Sequence, residues 1–282
     1  MDWRNLGQRV AVGLIFIPLI LSAIWFGKHF FLLFIQIIVG IGLIEFYDLA
    51  KHKNARPRRG LGVLAGIAAP ALIYAGYSDK LWLLLGGLTV AVVTIELFSK
   101  PESGGSPLLN VSVTLFGVAY VAGLLSFLVL IRELPHVIGG EYVQAGTWVI
   151  MIFVVIWICD TAAYFVGLYF GKHKLFPRVS PKKTIEGAVG GFVFAILSAV
   201  VCQQTFVKGL GLQDALIIGV IIGSAGQLSD LVESLFKRDA GIKDSSKLIP
   251  GHGGILDRFD SEMLVAPLVY VYLVAVNVSS NG

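Results

Sequence analysis

Long apolar stretches recur along the whole chain and are separated by short polar segments. An α-helix needs about 20 apolar residues to cross roughly 30 Å of hydrocarbon. Hydrocarbon cannot satisfy backbone N–H and C=O groups, and the alternation typical of membrane strands is absent, so these stretches are predicted to be helices. We predict nine spans, at residues 10–26, 30–50, 61–77, 81–98, 108–131, 147–170, 187–206, 213–234 and 262–278.

The composition supports the same interpretation. Only 14% of the residues are charged and the mean hydropathy is +0.82, whereas a soluble domain has about 25% charged residues. The predicted fold class is therefore all-α, a polytopic integral membrane protein. We divide the chain into N-terminal transmembrane helices at residues 1–135, with about five spans, and a C-terminal catalytic region at residues 136–282, with about four spans and cytoplasmic loops.

The positions of the basic residues predict the orientation. With the N-terminus in the cytoplasm, 18 of the 22 Lys and Arg residues lie on the inner side, and the exceptions are Lys28, Lys80, Arg132 and Lys208. By the positive-inside rule we expect a multi-pass protein of the cell inner membrane with a cytoplasmic N-terminus. The basic residues are split among short membrane-tethered loops, which disfavours nucleic acid as a partner.

Several acidic residues lie within predicted spans. Glu45, Asp48 and Glu96 are near the cytoplasmic ends of their helices, where a charged side chain reaches the interface at little cost, so no function is expected of them. Asp160 is near the middle of its span, where an unpaired carboxylate costs at least a few kcal/mol. Pairing between helices and a role in a site both explain Asp160. Asp230 is near the end of the eighth span.

The segment 234–261 concentrates acidic and basic residues around the glycine-rich stretch 250–254. Glycines let backbone N–H groups approach an anion closely, as in phosphate-binding loops. Asp257 and Asp260 are three residues apart, so at the start of a helix both carboxylates would project from one face. With Asp230 they could form an oxygen site for a hard cation such as Mg²⁺. For any single residue, a solvated loop whose charges pair with one another is the alternative.

A second polar loop, residues 171–186, is predicted on the same side of the membrane. Its bases could simply set the topology. Alternatively, together with Ser180 and Thr184 they could hold phosphates delivered to the acidic site; the bases are Lys172, Lys174, Arg178, Lys182 and Lys183.

These two segments resemble those of a known family. From Ser234 to Asp260 the chain reads S-x-x-K-R-x4-K-D-x5-P-x-H-G-G-x-x-D-R-x-D, which is similar to the signature of phosphatidate cytidylyltransferases, also called CDP-diacylglycerol synthases. The segment S-P-K-K-T-x-E-G, from Ser180 to Gly187, resembles a second segment of that family. The detailed match covers roughly residues 157–261.

The resemblance implies that CTP and phosphatidic acid react to give CDP-diacylglycerol and pyrophosphate in phospholipid biosynthesis. It implies Mg²⁺, with room for a second cation, membrane lipids around the protein, and a homodimer, which GxxxG pairs such as Gly187/Gly191 would permit. The implied metal ligands are Asp230, Asp257 and Asp260. The implied catalytic residues are Asp230, Lys237, Arg238, Asp257 and Arg258. The implied substrate-binding residues are Ser180, Lys182, Lys183, Thr184, Lys243, Asp244, His252, Gly253 and Gly254.

Three other functions have different sequence requirements. A transporter using Asp160 and Asp230 as an ion relay would show paired broken helices and an internal repeat, and no convincing repeat is found. A CDP-alcohol phosphotransferase would carry a helical D-G-x-x-A-R run, which this sequence lacks. A non-catalytic membrane scaffold would not need the metal-like arrangement of carboxylates.

Overall fold

The computed structural model describes residues 3–99, 106–138, 141–246, 248–249 and 253–280. Within these ranges the chain is helical apart from its loops and one short hairpin, so the predicted all-α class is confirmed. Contacts divide the chain into two compact units. The first comprises Met1–Leu130 with Phe236–Phe259, and the second comprises Ile131–Leu235 with Asp260–Gly282.

The helices of the N-terminal half are α1 (Trp3–Phe26), α2 (Lys28–Lys51), α3 (Arg59–Tyr74), α4 (Leu81–Leu97), α5 (Pro107–Gly117) and α6 (Leu124–Glu133). Gly27, with φ 62°, separates α1 from α2 by a conformation that glycine adopts without strain. Pro107 begins α5 at a position where its missing N–H costs nothing. A π-helical segment, Val118–Gly123, joins α5 to α6 in one continuous span.

The core of the first unit is built on α2. Phe31, Ile35, Val39 and Leu43 recur every four residues on one helix face and are all buried. The Tyr47 hydroxyl, further along α2, donates to the Thr114 carbonyl of α5 at 2.9 Å. This buried bond fixes the end of α2 that carries the acidic residues.

The helices of the C-terminal half are α7 (Pro135–Ile138), α8 (Tyr142–Phe170), α9 (Ile185–Thr205), α10 (Leu212–Ile221), α11 (Gln227–Asp239) and α12 (Asp260–Ser280). A second π-helical segment, Ile222–Gly226, joins α10 to α11. Strands β1 (Lys174–Phe176) and β2 (Ser180–Thr184) form an antiparallel hairpin between α8 and α9, which the sequence did not predict.

Close helix packing in the second unit depends on glycine. A Cβ at Gly187 would lie 2.6 Å from the Ala163 carbonyl oxygen, and one at Gly191 would lie 2.9 Å from the Cys159 carbonyl oxygen. Neither approach is possible for a larger residue without moving the backbone, because Cβ atoms do not come within 3.0 Å of such atoms. This glycine pair therefore allows α9 to pack directly on α8.

The apolar side chains that face outward are those of a membrane protein. Only 17% of the apolar stretch in Ser78–Leu97, which contains α4, is buried, and Trp82 and Leu97 are 70% and 77% exposed. So large an exposed apolar surface marks contact with lipid or another protein. Among the described residues, six helices are long and apolar enough to cross a membrane, namely Lys28–Lys51, Ser78–Leu97, Pro107–Glu133, Tyr142–Phe170, Ile185–Thr205 and Leu212–Asp239. The chain is a multi-pass membrane protein.

The predicted membrane spans and the predicted domain division are compared with the structure in turn. Every one of the nine predicted spans coincides with a helix, but the number that cross the membrane stays a prediction. Val12–Phe26, which is the apolar part of α1, and α3, Arg59–Tyr74, are shorter apolar stretches. The division at residue 135 also stays a prediction about domains. The predicted division did not include one feature that the contacts show, namely that Phe236–Phe259 packs with the N-terminal helices.

Candidate active site

A buried ion pair lies at the centre of the signature segment. The Lys237 ammonium, on the last turn of α11, donates to Asp257 Oδ1 at 2.5 Å. The two side chains are only 10% and 6% exposed. Two opposite charges removed from water interact far more strongly than a surface pair, and each is costly to leave without the other. The geometry therefore holds both predicted catalytic side chains in one orientation.

The second oxygen of Asp257 accepts three further hydrogen bonds. The backbone N–H and the hydroxyl of Ser245 each donate to Oδ2 at 2.9 Å, and the Gly254 N–H donates at 2.7 Å. Burial by itself would raise the pKa of Asp257, but the bonds from Lys237 and these backbone amides outweigh it and hold the pKa below its ordinary value. Asp257 is thus a permanent anion at neutral pH.

A residue from the N-terminal helices takes part in the same network. Glu45, on α2, is 4% exposed. Its Oε1 accepts from the Ser246 hydroxyl at 2.6 Å and the Ile255 N–H at 3.1 Å. Its Oε2 accepts from the Leu256 N–H at 2.7 Å and lies 3.0 Å from the Ser245 hydroxyl, whose one proton it shares with Asp257. The expectation that the Glu45 side chain reaches the interface from a helix end was wrong, because residues of the signature segment cover it and remove it from water.

The glycines of this segment are required by the two carboxylates. Gly253 has φ +85°, and a Cβ there would lie 2.5 Å from Asp257 Oδ2. A Cβ on Gly254 would overlap Ser245 Oγ and Glu45 Oε2. The Gly254 amide, which we expected to face a substrate phosphate, donates instead to Asp257. Contact of Gly253 and Gly254 with substrate stays a prediction.

A second lysine–aspartate pair lies in the second unit. The Lys183 ammonium, on β2, bonds Asp230 Oδ2, and the Ser234 hydroxyl lies 3.3 Å from Asp230 Oδ1. Both members of this ion pair are partly exposed, at 29% for Lys183 and 31% for Asp230. The structure therefore brings together a lysine of the second polar loop and an aspartate that the sequence placed near the end of the eighth span.

The hairpin that carries Lys183 is fixed at its base. Glu186 accepts from the backbone N–H groups of Lys172 and His173 at 3.1 and 3.2 Å, and from His173 Nδ1 at 2.6 Å. Thr184 is the N-cap of α9, and its hydroxyl accepts from the Gly187 N–H at 3.1 Å. Thr184 is buried, so the structure gives it a capping role, and its predicted contact with substrate stays untested.

The start of α11 is tied to α9 beside this pair. The Gln227 side-chain amide donates to the Gly223 carbonyl at 2.6 Å and to the Ala188 carbonyl of α9 at 3.0 Å. The first bond satisfies a carbonyl within the π-helical segment, where the regular helical ladder is interrupted. Gln227 therefore stabilises the irregular turn immediately before Asp230.

The other predicted site residues are mostly exposed, and one lies outside the described residues. Lys182, Lys243, Asp244, Arg238 and Arg258 are exposed, and Ser180 is half-buried on β2. Arg238 donates to the Ile242 carbonyl at 3.0 Å. His252 lies outside the described residues.

The third predicted metal ligand has a different position from the one expected. Asp257 lies in a 3₁₀ turn, Leu256–Arg258, and α12 begins only at Asp260. The two carboxylates therefore do not share a helix face, since the helix starts too late. Asp230 and Asp260 belong to the second unit and Asp257 to the first. Among the described residues, no group of three or more His, Cys, Asp and Glu side chains could hold a metal ion.

The carboxylate oxygens of the predicted metal ligands differ in how far hydrogen bonds already occupy them. Each oxygen of Asp230 has one contact described above, and the side chain is partly exposed, so it fits a cation ligand. Oδ2 of Asp257 already accepts three hydrogen bonds, which leaves only Oδ1, and that atom faces Lys237. Convergence of the three aspartates on one cation stays a prediction.

Known proteins resemble this chain over nearly its full length. The family described as the cytidylyltransferase family matches residues 7–276. The phosphatidate cytidylyltransferase of Staphylococcus epidermidis is 34% identical over 281 residues, which cover 97% of this chain and 99% of the relative. That of Bacillus subtilis is 33% identical over 281 residues, which cover 95% and 98%.

A third relative matches over a shorter region. The phosphatidate cytidylyltransferase of Staphylococcus saprophyticus is 47% identical over 129 residues, which cover 46% of this chain and 50% of the relative. The full-length matches, together with a signature segment that forms a buried ion-pair network, lead to one conclusion. The chain belongs to the cytidylyltransferase family and is a nucleotidyltransferase enzyme.

Proposed function

We propose that this protein transfers the cytidylyl group of CTP to phosphatidic acid, giving CDP-diacylglycerol and pyrophosphate. The observation that carries the proposal is the buried Lys237–Asp257 pair in the signature segment of a membrane protein. The names of the full-length relatives support the choice of substrates. A lipid phosphate is also the acceptor that a multi-pass protein can reach directly from the bilayer.

The reaction needs little acid–base chemistry from the protein. A phosphate oxygen of phosphatidic acid forms a bond to the α-phosphorus of CTP, and the bond from that phosphorus to the bridging oxygen of pyrophosphate breaks. The attacking phosphate is already ionised at neutral pH. Catalysis then consists mainly of holding two polyanions together and in line.

Cationic side chains of the chain meet that requirement. Lys183, on the anchored hairpin, and Lys237, in the buried pair, are held in fixed positions by carboxylates. The exposed bases Lys182, Lys243, Arg238 and Arg258 surround them in sequence and would contact phosphate oxygens, as would His252. A fixed cation stabilises charge in the transition state without the cost of reorienting solvent.

Mg²⁺ is part of the proposal, with a second cation permitted. Asp230 would be its ligand from α11, and Asp257 would contribute Oδ1, the oxygen that also faces Lys237. Asp260 would complete the set. When bound, the cation would neutralise phosphate charge and keep several of its own waters. When no cation is bound, Lys183 and Lys237 neutralise the charges of Asp230 and Asp257 and hold the two carboxylates in place.

The charge asymmetry supports a cytoplasmic location of the site. We place the signature segment and the hairpin on the cytoplasmic side of the inner membrane, where CTP is available and where the excess of Lys and Arg should lie. Labelling of single engineered cysteines from either side of sealed vesicles measures this directly. A homodimer, also proposed, is measured by light scattering of the protein in detergent.

The test is a substrate panel on the purified protein in lipid nanodiscs. We expect a lipid-linked product from CTP with phosphatidic acid, and none when diacylglycerol replaces phosphatidic acid or ATP replaces CTP. Asp230→Asn should reduce turnover and weaken the dependence on Mg²⁺. Product from diacylglycerol as readily as from phosphatidic acid, or no product from any pair, would contradict the proposal.

A further inference from the structure

We infer that Glu45 is a positioning residue of the active site, which holds residues 245–246 and 254–256 so that Asp257 and Lys237 keep their orientation. The inference rests on the proposed function for its kinetic consequence and on the first unit alone for its geometry. It gives the N-terminal helices a part in the reaction, which the sequence had left without one.

The first support is the number and kind of bonds that Glu45 accepts. Two serine hydroxyls and two backbone amides reach its carboxylate at 2.6–3.1 Å, from residues 200 to 211 positions away in the chain. Hydrogen bonds to a buried charged acceptor are stronger than neutral ones. The serines lie at the start of the segment and the amides near its end, so one carboxylate joins the two.

The second support is a hydroxyl shared between two carboxylates. Ser245 Oγ lies 3.0 Å from Glu45 Oε2 and 2.9 Å from Asp257 Oδ2. A serine hydroxyl has a single proton, so it can donate fully to only one of them at a time. The position of Glu45 therefore sets the position of Ser245, whose backbone N–H also donates to Asp257.

The third support is the run of consecutive amides at the turn. The N–H of Gly254 donates to Asp257, and those of Ile255 and Leu256 donate to Glu45. Successive amides pointing into one concavity normally bind an external anion. Here the two carboxylates of the chain occupy it. If Glu45 lost its charge, two amides of the turn would lose their charged acceptor and the turn would loosen around Asp257.

The test compares Glu45→Gln with Asp48→Asn. Asp48 lies one turn further along α2, is 44% exposed, and pairs with Lys51 and Arg59 instead of the loop. The glutamine side chain keeps the size of the glutamate but replaces one acceptor oxygen by a donor. We expect kcat to fall about 10- to 100-fold, the equivalent of one or two charged hydrogen bonds. The KM for CTP should change less than about threefold, because no bond to substrate is removed, and Asp48→Asn should match the wild type.

A second readout does not depend on activity. Amide hydrogen exchange at Ile255 and Leu256 should become at least about tenfold faster in Glu45→Gln, and stay as in the wild type in Asp48→Asn. Glu45→Asp, which keeps the charge but shortens the side chain, should recover part of the protection and part of kcat.

The outcomes separate the two proposals. An active wild type with an unchanged kcat in Glu45→Gln overturns the positioning role, and so does unchanged exchange at the two amides. If the wild type itself makes no CDP-diacylglycerol, the proposed function is wrong. The exchange rates then still decide whether Glu45 holds the loop.

Discussion

Asp257→Asn removes the negative charge of the buried pair while keeping the shape of the side chain. The asparagine oxygen can still accept from the amides of Ser245 and Gly254, so its NH₂ group would face the Lys237 ammonium. The NH₂ donor would then face the ammonium group in place of the salt bridge. The substitution therefore mainly removes the Lys237–Asp257 interaction.

The expected cost follows from burial. Both side chains are at most 10% exposed, and breaking a buried pair by removing one partner costs about 3–5 kcal/mol. A surface pair such as Lys53–Asp239, whose members are 49% and 62% exposed, should contribute between about 0 and 1 kcal/mol. Asp239→Asn is therefore the matched control.

The assay is equilibrium unfolding in mixed detergent micelles, applied to a double-mutant cycle of Asp257→Asn and Lys237→Met. Because both single variants break the same pair, the double variant should be less destabilised than the sum of the two, by at least about 1 kcal/mol. Additivity within about 0.5 kcal/mol would refute the reasoning, since it would mean that the two charges do not depend on each other.

Three further predictions follow from the same network. The contribution of Asp257 to stability is fully present above its ordinary pKa of 3.8 and is lost as the pH falls through its lower folded pKa. The difference in unfolding free energy between wild type and Asp257→Asn should accordingly be constant from about pH 7 to pH 5 and shrink only below the ordinary pKa, and shrinkage already at about pH 6 would contradict the pKa shift. Gly254→Ala should lower the unfolding free energy by about 1–3 kcal/mol through overpacking and reduce turnover, because its Cβ would overlap Glu45 and Ser245. Gly60→Ala, at a glycine with open space around it, should leave the unfolding free energy unchanged. Lys183→Ala should lower kcat/KM for CTP at least about tenfold, the equivalent of one charge-assisted contact with phosphate. Lys208→Ala, at an exposed lysine outside the hairpin, is the control for the loss of a lysine. Equal effects of the two substitutions would argue against a substrate role for Lys183.

The helices were predictable because hydrocarbon leaves the backbone few alternatives. Apolar stretches of sufficient length marked every predicted span, and a helix is found at each. The two π-helical segments were not predictable, since each is a local change of hydrogen bonding within an otherwise apolar run. The hairpin of β1 and β2 was missed because its five-residue strand is mostly polar and lacks the alternation of a half-buried strand.

The candidate site was predictable in its composition more than in its geometry. Charged residues interleaved with glycines identified the segment that contains Lys237 and Asp257. Glu45 was missed because its partners lie about 200 residues away in the chain, and a carboxylate near a helix end costs too little to reveal whether it is buried. The one available signal was its place six residues inside the end of α2, deeper than Asp48.

The most direct test of the central claim follows the label of CTP. With CTP labelled at the α-phosphorus, wild-type protein and phosphatidic acid in nanodiscs should transfer the label to a lipid that partitions into organic solvent. With the label at the γ-phosphorus, it should remain in the aqueous phase as pyrophosphate. Label from the γ-position in the lipid, or no transfer from the α-position, would contradict a cytidylyl transfer at this site.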